Sequence, residues 1–221
     1  MGSKPVRAKG AALGSPPVPE FEPCALGGVS VMSRVQGELT HGLWLVRHAQ
    51  PLVAAGVCYG MTDLAADPED TLRAATALVD TLPQGAFVLT SPLQRCEQLA
   101  QSLCALRPDL TYVRDARLVE MNFGCWEGQR WDAIPRAAFD QWMAEFGSHA
   151  FGGIETVDAL MQRVAAVWDE SVLRGGDQVW ITHAGVIRAA TLIAQGVRRV
   201  TRGRQWPRDV LAFGECRVLP A

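Results

Sequence analysis

The sequence predicts an α/β fold: a three-layer α/β/α sandwich around a central, mostly parallel mixed sheet, with a lid inserted between two strands. Short apolar runs rich in branched and aromatic residues suit strands covered on both faces, and they alternate with longer segments whose apolar residues recur at helical spacing. Around residues 115–155 this alternation is interrupted by a stretch rich in glycines and aromatics, which predicts the lid.

The composition indicates one folded domain that acts on a small molecule. With 221 residues, 48% of them hydrophobic, the chain can bury one substantial core. A net charge of -2 provides no basic field for nucleic acid, and no apolar segment reaches the ~20 residues that a membrane helix needs. We therefore expect a cytoplasmic protein with neither a nucleic-acid nor a membrane partner; the composition specifies no oligomeric state.

Residues 1–40 are predicted to be a flexible N-terminal extension, and residues 41–221 the folded domain. The extension is rich in Gly, Pro and Ser and has no hydrophobic periodicity. It also contains both lysines of the protein, Lys4 and Lys9, whereas every later Lys or Arg position is arginine. This break in composition indicates residues that were added to the chain or translated from upstream of the native start, with Met32 as an alternative start.

The elements of the domain follow from the periodicity of the apolar residues. Strands are expected at Leu43–Val46, Ala86–Thr90, Leu110–Val113 and Gln178–Thr182, followed by a terminal hairpin of Asp209–Phe213 and Cys216–Leu219. Helical spacing predicts helices over Thr71–Leu82, Arg136–Phe146, Val157–Val172 and Val186–Gln195, and a further one that ends at Pro108. Pro51–Asp70, with little periodicity, is expected to be a loop that crosses the strand ends.

The second strand is followed by a helix start that suits an anion. In Ser91-Pro92-Leu93-Gln94, serine stands at the expected N-cap, proline at the first helical position and glutamine where a capping box needs it. Arg95 then falls in the first helical turn. Free N–H groups and the positive end of the helix dipole would join its guanidinium in attracting phosphate or carboxylate.

Three predicted strands end in cationic or imidazole side chains. Arg47 and His48 follow the first strand, Arg95 follows the second, and His183 follows Gln178–Thr182. Because the carboxyl ends of parallel strands meet at one edge of the sheet, we expect these side chains to lie together. Two guanidiniums and two imidazoles would form a pocket for a dianion.

Several phosphatase chemistries lack their motifs in this sequence. No cysteine is followed six positions later by arginine, and no D-x-D-x-T/V segment offers an aspartyl nucleophile. A nucleotide-binding G-x-x-x-x-G-K-S/T loop is also missing, as is an H-E-x-x-H metal motif, and the six cysteines are scattered without a C-x-x-C pair. These absences leave histidine as the candidate nucleophile and predict no metal and no cofactor.

Four motifs, in this order, resemble those of the histidine phosphatase, or phosphoglycerate mutase-like, superfamily. They are Leu45-Val46-Arg47-His48, Thr90-Ser91-Pro92-Leu93-Gln94-Arg95-Cys96, Glu120 with Phe123-Gly124-Cys125-Trp126-Glu127-Gly128, and Thr182-His183-Ala184-Gly185. Within that superfamily, the stretch from Arg47 to Leu64 is most similar to α-ribazole phosphatases of cobalamin synthesis. The resemblance spans roughly residues 43 to 195 and implies the three-layer fold predicted above.

The resemblance also implies catalytic roles. His48 would attack phosphorus to give a phosphohistidine, while Arg47, Arg95 and His183 hold the phosphoryl oxygens, and Glu120 matches the family's proton donor. His48 must then be neutral at the attacking nitrogen, so its other nitrogen is expected to donate to a backbone carbonyl. Glu127 is the rival carboxylate, with a structural role near a backbone turn as its alternative.

The leading functional expectation is a metal-independent phosphomonoesterase that acts on α-ribazole 5'-phosphate or a cobalamin 5'-phosphate. The small-molecule leaving group is expected to contact Gln50, Tyr59, Thr62 and Trp126, although packing is an equal alternative for the last three. Pro51 and Ala54 stand where many relatives carry polar residues, which argues against a phosphoglycerate mutase. A broad-specificity small-molecule or sugar phosphatase, a mutase-like enzyme and a catalytically weak phospho-ligand-binding module are the alternatives.

Overall fold

The computed structural model describes residues 41–220, so the predicted extension over residues 1–40 lies outside the described residues. Within that range, five strands form one sheet with five α-helices around it. The strands are β1 (Gly42–Arg47), β2 (Phe87–Thr90), β3 (Thr111–Arg114), β4 (Gln178–Thr182) and β5 (Cys216–Pro220). The helices are α1 (Pro68–Leu78), α2 (Gln94–Leu106), α3 (Arg136–Ala144), α4 (Val157–Arg174) and α5 (Ala184–Ala194). None of these helices is long and apolar enough to cross a membrane.

The strand order is β3-β2-β4-β1-β5, with β1 to β4 parallel and β5 antiparallel to β1. This arrangement confirms the predicted mostly parallel mixed sheet. Arg47 pairs with Thr182, and Thr90 pairs with Ile181, so β1, β2 and β4 end almost level with one another. Residues just beyond these three strands therefore meet at one edge.

The sheet separates two apolar cores, which confirms the predicted three layers. Leu45 and Trp180 face the core formed with α4 and α5, whereas Val46 and Ile181 face the core formed with α1 and α2. All five residues of β4 are buried, as a central strand covered on both faces requires. The two cores hold the strand ends in fixed positions.

The predicted lid, around residues 115–155, falls in the segment between β3 and α4. It contains α3 and three single-turn 3₁₀ helices, and its interior is mostly aromatic. Phe151 is fully buried there and stacks on Trp142 with 4.5 Å between ring centroids. Cys58, from the loop after β1, is buried in the same cluster, so the lid and that loop share one small core.

The predicted terminal hairpin is wrong, because residues 209–213 do not form a strand. The turn at Gly214 bonds to β1 itself: Gly214 N–H donates to the Arg47 carbonyl at 3.1 Å, and Arg47 N–H donates to the Glu215 carbonyl at 3.0 Å. β5 consequently pairs with β1 and not with the segment before it. That segment crosses the end of β1 and contacts the Arg47 side chain.

Candidate active site

The four polar residues expected at the sheet edge lie together. Arg47 ends β1 and His48 follows it, His183 follows β4, and Arg95 is in the first turn of α2. The two imidazole rings are 5.1 Å apart between centroids, and both guanidiniums act electrostatically on His48. Arg47, His48, Arg95 and His183 are called the four-residue pocket below.

His48 is neutral and has one free ring nitrogen. Its Nδ1 lies 2.7 Å from the Ala49 carbonyl oxygen, so Nδ1–H donates and the lone pair remains on Nε2. Burial, with only 2% of the residue exposed, lowers the pKa of His48 to about 3, and the charges of Arg95 and Arg47 act in the same direction. The backbone-carbonyl partner expected from the sequence is present.

The two guanidiniums are held by backbone carbonyls. Arg95 is fully buried and donates to the Thr62 carbonyl at 2.8 Å and to the Gly60 carbonyl at 2.6 Å. Arg47 donates to the Leu211 carbonyl at 2.6 Å and lies 3.9 Å from the centre of the Phe213 ring. Both arginines keep a buried Nε–H without a partner among the described residues, as anion-binding groups do.

Ser91 does not cap α2, so the predicted capping box is wrong. The helix begins three residues later, at Gln94, whose backbone N–H donates to Asp63 at 2.7 Å. The Ser91 hydroxyl instead lies 2.8 Å from His183 Nε2, and both residues are fully buried. Burial, with the nearby His48 and arginines, holds the pKa of His183 well below its usual value, so that ring is also neutral.

Glu120 lies beside the four-residue pocket at the start of α5. Its Oε2 accepts the Gly185 N–H at 3.0 Å, and its Oε1 accepts the Met121 N–H at 3.0 Å. Any side chain at position 185 would place its Cβ 2.2 Å from Oε1, so this approach requires glycine. The charge of Glu120 also acts on Arg47, which places the carboxylate within electrostatic range of the pocket.

Glu127 links the loop after β1 to the lid. It accepts the backbone N–H groups of Met61 at 2.9 Å, Thr62 at 2.6 Å and Phe123 at 3.0 Å, and also the Thr62 hydroxyl. Burial opposes ionisation, but these donors together hold the pKa of Glu127 below its usual value. This ionised carboxylate stabilises the loop whose carbonyls hold Arg95.

Arg163 of α4 fixes the loop that carries Glu120. Its guanidinium donates to the Arg117 and Val119 carbonyls at 2.6 Å each and to the Glu120 carbonyl at 3.2 Å. It also pairs with Glu155 at 2.8 Å. Sequence reasoning missed this residue because helical spacing assigned α4 to core packing alone.

The four candidate leaving-group contacts occupy different positions. Tyr59 is half-buried beside the pocket, where Arg47, Arg95 and Glu120 all act on its phenol, and burial raises the pKa of that phenol. The Thr62 hydroxyl donates to Glu127, and Trp126 packs on Phe151 in the lid. Gln50 is exposed and lines a surface cleft of ≈ 590 Å³ alongside α1, a cleft whose lining does not include the pocket residues.

Sequence reasoning also missed Phe213 and Arg188. Phe213 contacts both the Arg47 guanidinium and the His48 ring, and its expected place in a strand concealed this role. Arg188 is half-buried on α5, with Glu120 and Asp209 acting on its charge and a buried Nε–H that has no partner within residues 41–220. Helical spacing could have found Arg188, since it lies three residues after Gly185 and shares its face.

Residues 41–220 contain no group of three His, Cys, Asp or Glu side chains that could hold a metal ion. The cysteines of this range are free thiols. Burial raises the pKa of Cys58 to about 12 and also raises that of Cys96, next to Arg95, so both thiols are protonated at neutral pH.

The arrangement of these residues agrees with the family whose sequence model matches the chain. That model describes the histidine phosphatase superfamily (branch 1) and matches residues 43–209, well over half of the chain. The chain belongs to the histidine phosphatase superfamily. No curated protein matches this histidine phosphatase in sequence.

Solved structures from several bacteria share the fold of this histidine phosphatase. The native mycobacterial glucosyl-3-phosphoglycerate phosphatase is 23% identical, with a TM-score of 0.62 over 71% of this chain and 80% of its own. Bacillus stearothermophilus YhfR is 21% identical, with a TM-score of 0.67 over 80% and 90%. TTHB049 from Thermus thermophilus is 27% identical, with a TM-score of 0.61 over 80% and 92%.

Proposed function

We propose that this histidine phosphatase is a metal-independent phosphomonoesterase that forms a phosphohistidine on His48. One observation carries the proposal: Nδ1 of the buried ring donates to the Ala49 carbonyl at 2.7 Å, which leaves the Nε2 lone pair free. Both guanidiniums of the pocket stand close enough to lower the pKa of this ring. A neutral imidazole beside two fixed cations suits attack on a dianionic phosphoryl group.

The reaction has two displacements at phosphorus. In the first, His48 Nε2 forms a bond to phosphorus while the bond to the ester oxygen breaks, and protonated Glu120 gives its proton to the leaving alkoxide. In the second, Glu120 takes a proton from water, whose oxygen attacks the phosphohistidine and releases inorganic phosphate and neutral His48. Arg47, Arg95 and His183 bind the non-bridging oxygens in both steps.

The substrate we propose is α-ribazole 5'-phosphate or a cobalamin 5'-phosphate, which would place the protein in cobalamin biosynthesis. The support is the similarity of the stretch from Arg47 to Leu64 to α-ribazole phosphatases. The loop after His48 is also poor in polar side chains, with Pro51, Leu52, Val53 and Ala54 in succession, of which Leu52 and Ala54 are exposed. A bulky leaving group with little charge suits such a loop better than a phosphorylated glycerate does.

Turnover of a phosphomonoester panel tests both levels of this proposal. The panel contains α-ribazole 5'-phosphate, sugar phosphates and 3-phosphoglycerate, and wild type is compared with His48→Ala. We expect wild type to release phosphate, to prefer α-ribazole 5'-phosphate and to form an acid-labile, base-stable phosphoprotein during turnover. Equal activity in both proteins would refute the His48 nucleophile, and phosphate binding without turnover would instead indicate a phospho-ligand-binding module.

The same panel separates the remaining enzyme alternatives. Similar kcat/KM values for sugar phosphates and α-ribazole 5'-phosphate would indicate a broad-specificity phosphatase. Conversion of 3-phosphoglycerate to its isomer without release of phosphate would indicate a mutase. Either result would overturn the proposed substrate. The role of His48 as nucleophile would still be tested separately, by the phosphoprotein measurement.

A further inference from the structure

His183 contacts two side chains that can form hydrogen bonds with its ring nitrogens. The Ser91 hydroxyl lies 2.8 Å from Nε2, and the Cys96 thiol lies 3.4 Å from the same nitrogen. Nδ1 has only the Cys96 sulfur, at 3.9 Å, among the described residues. The two ring nitrogens therefore have very different surroundings.

The hydrogen bonds of Ser91 decide which nitrogen of His183 carries the proton. The Ser91 oxygen accepts the Leu93 N–H at 3.3 Å, and its own proton lies within reach of two acceptors, His183 Nε2 at 2.8 Å and the Cys96 sulfur, of which the sulfur is much the weaker. If Nε2 carried the proton, the buried hydroxyl would have only the weakly accepting Cys96 sulfur for its own proton, and a buried donor without a good acceptor is costly. Ser91 therefore donates to Nε2, and the ring proton lies on Nδ1.

We propose that Ser91 is a positioning residue that holds His183 in its Nδ1–H tautomer, so that Nδ1–H donates to a bound phosphoryl oxygen. The catalytic consequence rests on the proposed phosphatase function, whereas the tautomer itself does not. In the opposite tautomer, a lone pair on Nδ1 would face the negatively charged oxygens and repel them. The serine thus determines whether Nδ1 of His183 presents a hydrogen-bond donor or an acceptor to the pocket.

This role explains why the serine does not cap α2. The helix begins three residues beyond the serine, at Gln94, so its first turn does not need the Ser91 hydroxyl, which faces His183. Asp63 accepts the Gln94 N–H at the start of the helix, so the Ser91 hydroxyl can donate to the imidazole of His183. The Ser91 backbone N–H donates to the Ile181 carbonyl at 3.0 Å, which fixes the serine relative to β4 and hence to His183.

The proposal is tested by long-range ¹H–¹⁵N NMR spectra of the full chain labelled with ¹⁵N-histidine, which distinguish protonated from bare ring nitrogens. The His183 signals are identified by their loss in His183→Gln. In wild type we expect a protonated Nδ1 and a bare Nε2, and in Ser91→Ala a proton that moves wholly or partly to Nε2. Ser91→Thr, which keeps the hydroxyl, should restore the wild-type pattern.

Two controls separate this effect from general damage to the fold. Ser171 is another buried serine, its hydroxyl has no partner within the described range, and Ser171→Ala should leave the His183 signals unchanged. His48 donates from Nδ1 to the Ala49 carbonyl without contact to Ser91, so unchanged His48 signals show that the pocket is folded. If Ser91→Ala disturbs those signals, Ser91→Cys, with its weaker donor, replaces it and should give a partial shift of the proton.

Turnover gives the second readout. We expect Ser91→Ala to lose on the order of 100-fold in kcat on p-nitrophenyl phosphate, the range measured when one donor to a reacting oxyanion is removed. Ser91→Thr should recover most of that loss, and inorganic phosphate should bind Ser91→Ala more weakly than wild type. An inactive wild type would refute the proposed function but would leave the tautomer measurement valid. A wild-type His183 protonated on Nε2, or an unchanged tautomer in a folded Ser91→Ala, would overturn the proposal.

Discussion

The four-residue pocket and the surrounding leaving-group residues are built on different parts of the fold. His48, Arg95 and His183 are at most 2% exposed and follow directly from strands or begin a helix between the two cores. Gln50, Tyr59, Thr62 and Trp126 lie on loops or in the lid and are half-buried or exposed. Strand ends therefore fix the groups that would bind phosphate, while loops provide the surface that can vary with the leaving group.

The two carboxylates near the site show the same division. Glu120 approaches the start of α5 and accepts from Gly185, next to His183. Glu127, seven residues later, accepts three backbone N–H groups and the Thr62 hydroxyl, which use both of its oxygens. Glu120 accepts one backbone N–H on each oxygen, from Gly185 and from Met121, whereas Glu127 accepts four donors that favour its ionised form; the contacts therefore favour Glu120 for chemistry and Glu127 for structure.

The largest effect in this comparison is expected from Arg95→Gln. The fully buried guanidinium binds two loop carbonyls and keeps a free Nε–H, so its loss removes both the charge and the order of the loop. We expect kcat/KM for p-nitrophenyl phosphate to fall on the order of 10³-fold. Arg198→Gln, which removes an exposed ion pair with Asp169, should change it less than about 2-fold. If kcat/KM decreases by less than about 10-fold in Arg95→Gln, Arg95 does not bind the phosphoryl oxygens as proposed.

Glu120→Gln and Glu127→Gln form a matched pair with a smaller expected effect. Loss of a general acid should lower kcat about 10²-fold for alkyl phosphates with poor leaving groups, and much less for p-nitrophenyl phosphate. Glu127→Gln should instead lower the midpoint of thermal unfolding. Its ratio of kcat for alkyl phosphates to kcat for p-nitrophenyl phosphate should stay near that of wild type. The measurement is kcat against leaving-group pKa in all three proteins. Undiminished hydrolysis of an alkyl phosphate by Glu120→Gln would contradict the assignment.

The buried, neutral His48 also predicts a dependence of stability on pH. Its pKa is about 3 in the folded protein against an ordinary value of 6.5, so the unfolded chain binds more protons between these limits. The free energy of unfolding should therefore decrease as the pH falls below about 6.5, by up to about 1.4 kcal/mol per pH unit from this group.

His48→Asn isolates this contribution, because the amide can still donate to the Ala49 carbonyl but does not titrate. Urea unfolding at several pH values between about 7 and about 5 should give a shallower pH dependence for the variant than for wild type. Parallel slopes in the two proteins would show that His48 is not held neutral by the fold. Burial, the largest cause of the lowered pKa of His183, is present in both proteins, so the main part of its own acid destabilisation cancels in the comparison.

The smallest effect is expected from the leaving-group side, where Tyr59→Phe is paired with Thr62→Val. Tyr59 stands beside Arg47, so loss of its hydroxyl should change relative kcat/KM values across a phosphomonoester panel by about 3-fold to 10-fold. Thr62→Val breaks a hydrogen bond to Glu127 and should lower stability by about 1 kcal/mol without changing selectivity. The opposite pattern would assign the leaving-group contact to Thr62.

Periodicity predicted the main strands and helices well because burial on one or two faces leaves a regular mark in the sequence. Local capping and turn signals were less reliable. Ser91-Pro92 has the pattern of a helix start, but a tertiary partner, His183, takes the serine hydroxyl and the helix begins at Gln94. The residues after Asp209 have the pattern of a hairpin, but β1 offers the better partner for β5.

By itself the sequence determined the fold class and the convergence of Arg47, His48, Arg95 and His183, because parallel strands that end level must bring their following residues to one edge. Only the tertiary structure decided the hydrogen-bond partners of these groups. The Ala49 carbonyl fixes the proton of His48, the Ser91 hydroxyl faces His183, and Gly185 admits Glu120. These contacts depend on distances of about 3 Å between atoms far apart in the chain, and neither periodicity nor spacing records them.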